Sequence, residues 1–400
     1  MKTNMFTSRS GENYLIPFIL IASLYLLWGT AHGLLDVLNK QFQGTFNMSK
    51  AESGFIQFST YIGYFIMAIP AGLLLNRVGY KRGIISGLSL FALGAFAFIP
   101  AAFFHTPIYF LIALFIIACG LCIIETAAHP YATSMGSEST SAQRINLAAA
   151  FNGVGWILGP LIGGTLIFGA EQGDNMAIAK PYIFIGLAVM LVGLVLTFIK
   201  LPEIKPEEGE EQAQKPATSI WSHKNLIFAI IAQFMYVGAQ TGIFSFFINY
   251  VTELDTSLTN LQASRLLSFG GMGVFLVGRL SSVGLMKKMK PSTLLALFGA
   301  LAVLCMLLVI LSLGTVSVYA LYLSFFLMSI MFPTIFALGV RGLGVHTKKA
   351  SSYIVMSLIG GAIFPVVMGW IGEQNMALGF ILPLFAFVYI TGFALSQRKF

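Results

Sequence analysis

The sequence predicts an all-α membrane protein with twelve transmembrane helices in two pseudo-symmetric halves of six. Three observations predict this class. Hydrophobic residues make up 57% of the chain and charged residues only 10%, whereas soluble globular domains carry about 25% charged residues. Twelve apolar stretches each approach the roughly 20 residues that a helix needs to cross a bilayer. One long polar segment leaves six of these stretches on either side.

Short polar connections separate the predicted spans. The spans cover residues 15–38, 53–75, 83–103, 107–133, 144–168, 181–200, 224–250, 261–285, 292–313, 316–340, 350–371 and 377–396. The polar segment between the sixth and seventh spans is rich in Pro, Glu and Lys, which is typical of a flexible linker. We therefore expect an N-terminal half over residues 1–200, a cytoplasmic linker over 201–223 and a C-terminal half over 224–400.

The distribution of Lys and Arg predicts the orientation of the chain. If both termini face the cytoplasm, 19 of the 23 basic residues lie in cytoplasmic segments, as the positive-inside rule requires. Only Lys40, Lys50, Lys180 and Arg265 then lie outside. This asymmetry explains the net charge of +8 without a nucleic-acid partner. We expect an integral protein of a bacterial cytoplasmic (inner) membrane with both termini cytoplasmic.

The two predicted halves resemble each other in sequence. Pro160 and Pro365 lie 205 residues apart, and two pairs of glycines share this offset. These pairs are Gly155 with Gly360 and Gly164 with Gly369. Two parallel six-helix repeats are typical of transporters that bind substrate between the repeats near mid-membrane.

Two acidic residues lie inside predicted spans, Asp36 in the first and Glu125 in the fourth. A carboxylate at membrane depth costs several kcal/mol and commonly marks a functional site. Each acid has a histidine on the same helical face, because His32 precedes Asp36 by four residues and His129 follows Glu125 by four. We expect both acids to carry protons, and the histidines to bind substrate or to tune the acids. The alternative is a structural pair within the helix bundle.

Other polar and aromatic side chains recur at helical spacing within the spans. An aromatic ring beside amides suits a polyhydroxyl ligand, which needs a surface for stacking and many hydrogen-bond partners. Each amide alone would serve equally as a bond between helices, worth about 1–2 kcal/mol or less. The residues expected to bind substrate are Trp28, His32, Gln57, Glu125, His129, Asn152, Tyr236 and Gln240.

A basic loop follows the second predicted span. Its sequence, "GLLLNRVGYKRG", begins at Gly72 and ends at Gly83. We expect its polar residues, together with the arginine before the fifth span, to contact helix ends or acidic residues when the cytoplasmic side closes. The expected gate residues are Asn76, Arg77, Lys81, Arg82 and Arg144.

These motifs carry a family resemblance. "GLLLNRVGYKRG" resembles the G-x-x-x-D-R-x-G-R-R loop of the major facilitator superfamily, with Asn76 where Asp is usual. The chain is similar in both halves to the fucose–proton symporter family, which also contains glucose/galactose transporters. The matching segments include "LLWGTAHGLLDVL", "CIIETAAHPYATSMG", "QRINLAAAFNGVG" and "AQFMYVGAQTGIFSFF". The resemblance implies a major facilitator fold, proton coupling and sugar binding by Asp36 and Glu125, and a cavity position for Asn152.

The chain departs from the fucose–proton symporter pattern around the implied sugar site. His32 and Gly33 stand where that pattern has two Asn, Ala149 stands in place of Gln, and His129 in place of Asn. Both coupling acids are retained. The resemblance therefore makes L-fucose the leading substrate, with another hexose or an amino sugar as the alternative.

Together these features predict a proton-coupled sugar importer that works by alternating access. The expected partners are a monosaccharide, protons and membrane lipid, with no nucleic acid, no cofactor and no metal, and the expected state is a monomer. No Walker loop, zinc motif or nucleophile–base pair suggests an enzyme. The alternative is a proton-driven efflux antiporter for lipophilic or cationic compounds, because "GWILGPLIGG" resembles a fifth-helix signature of such carriers. A sugar-binding membrane sensor would need a larger cytoplasmic domain than the linker provides.

Overall fold

The computed structural model describes most of the chain. The described residues are 5–6, 13–136, 140–171, 174, 176–199, 201, 220–286, 289–343 and 347–397. Most of the expected linker and both chain ends lie outside these residues, so the predicted linker boundaries and the location of the termini stay predictions.

Twelve helices in the described part of the chain are long and apolar enough to cross a membrane, which confirms the predicted fold class. Each overlaps one predicted span. Their bounds are Leu15–Phe46, Lys50–Val78, Tyr80–Phe104, Pro107–Ala132, Gln143–Phe168, Ala179–Phe198, Lys224–Leu254, Asn260–Ser281, Pro291–Ile310, Thr315–Val340, Ala350–Ile371 and Met376–Ser396. We number them as the first to the twelfth span.

The helices group into two compact units. The first unit comprises Met1–Leu38 and Ile62–Glu208, and the second comprises Asn39–Tyr61 and Gly209–Phe400. The segment Asn39–Tyr61, which holds the end of the first span and the start of the second, thus groups with the C-terminal helices. Its packing explains this: Gly54 lies against the backbone of Pro365 and Val366, and Gly369 lies against the backbone of Lys50.

The first span is longer than its apolar core predicts. The helix runs over 32 residues to Phe46, instead of ending near residue 38, and is therefore about 48 Å long, against a hydrocarbon thickness of about 30 Å. Side-chain hydrogen bonds support the polar extension: Gln43 Nε2 donates to Asn39 Oδ1 and to Ser53 Oγ, and the Ser53 hydroxyl donates to Asn39 Oδ1.

Small residues set the packing of the fifth and eleventh spans in the same way. A Cβ on Gly155 would lie 2.3 Å from the Leu26 carbonyl oxygen of the first span, and one on Gly360 would lie 2.2 Å from the Phe234 carbonyl oxygen of the seventh. Only glycine allows so close a backbone approach. The spacing of Gly155 and Gly360 predicts that they are equivalent positions of the two repeats. Each glycine indeed allows its span to approach the backbone of a neighbouring span within its own unit.

Several spans depart locally from α-helical geometry. The fifth span ends in a π-helical turn over Gly164–Phe168, and the eighth contains another over Leu266–Met272. In the eleventh, a 3₁₀ turn over Ser357–Ile359 separates Thr347–Met356 from Gly360–Ile371. Such insertions bend a helix and are frequent at functional sites.

Candidate functional site

Aromatic and imidazole rings form a cluster in the first unit. The Trp28 ring centroid lies 5.8 Å from that of Tyr25 and 6.2 Å from that of His129. Tyr25 and His129 meet edge to face at 5.4 Å. Trp28 is partly exposed and His129 is exposed, so the cluster has an open face.

The cluster extends one helical turn along the first span to His32. Its ring lies 6.1 Å from Trp28, 5.7 Å from Tyr64 of the second span and 5.5 Å from Trp156 of the fifth. His32 itself is only 7% exposed. Side chains from the first, second, fourth and fifth spans thus form one continuous surface, which we call the ring cluster: Tyr25, Trp28, His32, Tyr64, His129 and Trp156.

Glu125 lies beside the ring cluster on the fourth span, one turn before His129. Its side chain is partly exposed. The Tyr64 hydroxyl interacts with its carboxylate, and Tyr25 is close enough to interact electrostatically. The Tyr25 hydroxyl has no hydrogen-bond partner among the described residues. A partly exposed carboxylate beside hydroxyl groups can gain and lose a proton without a basic partner.

Asp36 has a different environment from Glu125. It is only 1% exposed, and Tyr182 of the sixth span is close enough to interact with it electrostatically. The Tyr182 ring stacks on Phe98 with centroids 3.7 Å apart, and its hydroxyl lacks a hydrogen-bond partner within the described chain. The structure therefore places one predicted acid at an open surface and the other in a closed interior.

Glycines hold the fifth span against the first and so position Asn152 and Trp156. A Cβ on Gly29 would lie 2.2 Å from the Asn152 carbonyl oxygen, and one on Gly159 would lie 2.5 Å from the Gly33 Cα. Asn152 is 6% exposed, and its Nδ2 donates to the Tyr25 carbonyl oxygen at 3.2 Å. Its amide thus bonds the two helices, which the sequence offered as the alternative to a cavity role.

The remaining predicted substrate residues belong to the second unit. Gln57 is buried and Gln240 is partly exposed. Tyr236 is fully buried, and its hydroxyl donates to the Met328 carbonyl oxygen at 3.0 Å. Arg279 of the eighth span interacts electrostatically with Tyr236. The sequence did not predict this contact, because the count of basic residues assigned Arg279 to the cytoplasmic side although the predicted span 261–285 includes it.

The five predicted gate residues occupy two environments in the first unit. Arg144 is fully buried, and its guanidinium donates to the carbonyl oxygens of Ala132 and Met5 and to the Thr140 hydroxyl. Lys81 donates to the Thr197 carbonyl oxygen at 3.0 Å, near the end of the sixth span. Residues 76, 77 and 82 are exposed. The described bonds of Arg144 and Lys81 thus hold helix ends.

Sequence reasoning missed half of the ring cluster. Tyr25 lies three residues before Trp28, and Trp156 follows Asn152 by four, so helical spacing could have identified both. Tyr64 gave no such signal, because it is one of five aromatic residues between Phe55 and Phe65 and only tertiary packing brings it close to Glu125.

The comparisons with known proteins agree with this architecture. Residues 15–365 match the sequence pattern of the Major Facilitator Superfamily. The chain is 37% identical to the L-fucose-proton symporter of Escherichia coli, over 96% of this chain and 93% of the relative. It is 31% identical to the glucose/galactose transporter of Brucella abortus, over 98% of this chain and 96% of the relative.

A solved structure supports the same assignment. The transporter FucP, solved in the outward conformation, is 37% identical and superposes with a TM-score of 0.71, covering 96% of this chain and 99% of FucP. The prediction of a transporter rather than an enzyme is confirmed by these relatives. The chain belongs to the Major Facilitator Superfamily and, within it, to the family of fucose–proton symporters and glucose/galactose transporters.

Proposed function

We propose that this protein imports a monosaccharide together with protons, with L-fucose the leading substrate and another hexose or an amino sugar the alternative. The observation that carries the proposal is the ring cluster with Glu125 beside it. Indole and phenol rings stack on the C–H faces of a sugar, while the neighbouring imidazoles, hydroxyls and carboxylate bind its hydroxyl groups. The relatives named as fucose and glucose/galactose transporters support the same substrate class.

Glu125 and Asp36 are the proposed proton carriers. Glu125 takes up a proton at the open face of the ring cluster, which removes the charge that would oppose passage through a dry state. Asp36 is enclosed, so its protonation requires a conformational change that admits water. In the proposed cycle the outward-open carrier binds sugar and proton, becomes inward-open and releases both. Resetting then requires both acids neutralised or internally paired.

The remaining parts of the proposal concern orientation and assembly. We place both termini in the cytoplasm of a bacterium because the Lys and Arg distribution follows the positive-inside rule. Gln57, Asn152, Tyr236 and Gln240 stay proposed substrate contacts, and the basic loop with Arg144 stays a proposed gate. Arg144 would act by holding the end of the fourth span, which carries Glu125. The monomeric state is proposed from the family resemblance.

Uptake into proteoliposomes tests the proposed function. We expect one or a few labelled monosaccharides from a panel to accumulate when the outer pH is lower, and not when the gradient is collapsed. Glu125→Gln should abolish accumulation while sparing exchange of internal and external sugar. Accumulation by the Gln variant equal to that of the native protein would exclude Glu125 as the coupling group. Proton-driven loss of a lipophilic cation, with no sugar uptake, would support the efflux alternative instead.

A further inference from the structure

His32 and His129 are held by the same hydrogen bond within their helices. His32 Nδ1 lies 3.1 Å from the Trp28 carbonyl oxygen, and His129 Nδ1 lies 2.9 Å from the Glu125 carbonyl oxygen. A carbonyl oxygen can only accept, so Nδ1 carries the proton in both rings. The other nitrogen of the neutral imidazole, Nε2, then has a lone pair and no proton. Each ring therefore presents a hydrogen-bond acceptor to its surroundings.

Both acceptor nitrogens belong to the ring cluster. Both imidazoles lie next to Trp28, with ring centroids at 6.1 and 6.2 Å from its own. His129 is exposed, and the partly exposed Glu125 lies one turn before it. A molecule stacked on Trp28 would lie next to both imidazoles and close to a carboxylate. Any contact that it makes with an Nε2 lone pair or with the ionised carboxylate needs a proton from the molecule.

We propose that His32 and His129 are specificity-determining residues that select substrate groups able to donate a hydrogen bond. This inference rests on the proposed function and refines its substrate class. A sugar that binds well carries O–H or an ammonium group at the positions facing the imidazoles. A sugar with fluorine, a methyl ether or only C–H at those positions binds poorly. An amino sugar is accepted there because its ammonium donates to Nε2 and lies beside aromatic faces and a carboxylate.

The fixed tautomer makes an imidazole more selective than an amide. Asn or Gln presents a donor and an acceptor and can turn over to suit either kind of partner. A histidine whose Nδ1–H is already bonded to its own helix has only the acceptor left. A ligand that also accepts leaves two lone pairs facing each other without a proton, and we expect this mismatch to weaken binding about 10- to 100-fold.

Binding of substrate analogues to the purified protein tests the proposal. The monosaccharide with the highest affinity in the panel is compared with its monodeoxy and monofluoro analogues at each position by calorimetry. A C–F group keeps a weak acceptor but has no proton. We expect at least one position at which the fluoro analogue binds as poorly as the deoxy analogue, about 10-fold or more below the parent sugar, while the amino analogue keeps its affinity.

The variant His129→Gln should change this pattern. The carboxamide of the new glutamine can donate a hydrogen bond. At the sugar position where the native protein binds the fluoro and deoxy analogues equally poorly, the variant should therefore bind the fluoro analogue better than the deoxy analogue. His105→Asn is the control. His105 directly follows the Phe98–Phe104 segment of the third span, away from the ring cluster, so this variant should leave the pattern unchanged. Native protein that binds fluoro analogues better than deoxy analogues at every position overturns the inference and leaves the proposed function standing. Failure to bind any monosaccharide overturns both.

A second measurement needs no ligand. Among ¹⁵N-labelled histidines, the signals that disappear in His32→Asn and in His129→Asn identify the two rings. We expect their Nε2 signals to be of the unprotonated, pyridine type near neutral pH. A protonated Nε2 on both rings overturns the proposed selection even if a sugar binds.

Discussion

Lys50 and Glu253 form an ion pair in the second unit, with 2.6 Å between Nζ and Oε1. The ammonium also donates to the carbonyl oxygens of Gly372 and Glu373 at 2.8 and 3.0 Å. The Glu373 carboxylate in turn accepts the Lys50 backbone N–H at 2.9 Å. The first turn of the second span is therefore fixed to the end of the seventh span and to the turn after the eleventh.

We expect transport to require the release of these bonds, because residues 39–61 continue at both ends into helices of the first unit.

Substitution of Lys50 should loosen this attachment. Lys50→Met leaves the exposed Glu253 carboxylate and the carbonyl oxygens of Gly372 and Glu373 without their donor, and we expect a loss of about 1–3 kcal/mol in the free energy of unfolding. The double variant Lys50→Glu with Glu253→Lys should recover part of the loss that Lys50→Glu alone causes, and a double-mutant cycle on thermal unfolding measures this recovery. Lys180→Met removes the exposed pair with Asp174 and serves as the control, with no measurable change expected. Equal effects of the two Met variants would show that the Lys50 pair has no special role.

Gly155 should not tolerate a side chain. The Cβ of alanine would lie 2.3 Å from the Leu26 carbonyl oxygen and 2.7 Å from the Thr30 nitrogen, so the first and fifth spans would have to separate. We expect Gly155→Ala to destabilise the protein by about 1–3 kcal/mol and to weaken sugar binding, since Trp156 would move away from His32. Gly392→Ala has open space around the new Cβ and should be neutral or stabilising. Thermal unfolding and sugar binding by both variants provide the comparison.

Arg144 should be irreplaceable even by lysine. Its guanidinium reaches three acceptors, one at Met5, one at the end of the fourth span and one at the start of its own helix, and a single ammonium cannot reproduce this fork. We expect Arg144→Lys to lower transport at least about 10-fold, with about 1–3 kcal/mol lost for each group left unpaired. Arg265→Lys, at an exposed position, is the control. Native uptake by Arg144→Lys would refute this assignment.

Glu125 and Asp36 should differ in chemical accessibility. A hydrophobic carbodiimide reacts with protonated carboxyl groups that it can reach, so we expect it to label the partly exposed Glu125 and not the enclosed Asp36. The transported sugar should slow this labelling. Mass spectrometry of labelled peptides identifies the residue, and Glu125→Gln should remove most of the label while Asp36→Asn removes little. Labelling confined to Asp36 would reverse the proposed roles.

Asp255, just after the seventh span, should show an acid-dependent contribution to stability. The Ser257 hydroxyl and backbone N–H donate to its Oδ1 at 2.6 and 3.0 Å, and these bonds hold the pKa of the carboxyl below its ordinary value. The folded pKa is depressed, so the stabilisation is present above the ordinary pKa of about 3.9 and is lost as the pH falls through the folded value. The difference in melting temperature between native protein and Asp255→Ala should therefore shrink on acidification from pH 6 to about 3. A constant difference would mean that the carboxylate charge plays no part.

Much of this architecture is predictable from the sequence because lipid imposes simple rules. Length and hydropathy predict the twelve spans, and the cost of burying charge identifies Asp36 and Glu125. Gly155 and Gly360 show the repeat because close helix packing tolerates no larger residue. These predictions depend only on properties local to one helix.

The features that were missed depend on contacts between distant segments. Lys50 and Glu253 are more than 200 residues apart, and each reads as a loop residue in a linear scan. The helical continuation of the first span to Phe46 is supported by hydrogen bonds that Gln43 and Ser53 donate to Asn39. Tyr64 belongs to the site only because its hydroxyl meets Glu125 of another span. Such contacts follow from the folded arrangement and not from composition or spacing.

The π-helical turn at Gly164–Phe168 limits how residues can be numbered by analogy between the two halves. Such a turn holds an additional residue, and one residue of an α-helix corresponds to about 100° of rotation. The constant offset of 205 joins Gly155 to Gly360 and Gly164 to Gly369, but the π-helical turn has no complete helical counterpart in the eleventh span, which ends at Ile371. Cysteines designed by internal symmetry should therefore be chosen between Gly155 and Gly164, because the 3₁₀ turn at Ser357–Ile359 interrupts the α-helical register before Gly360.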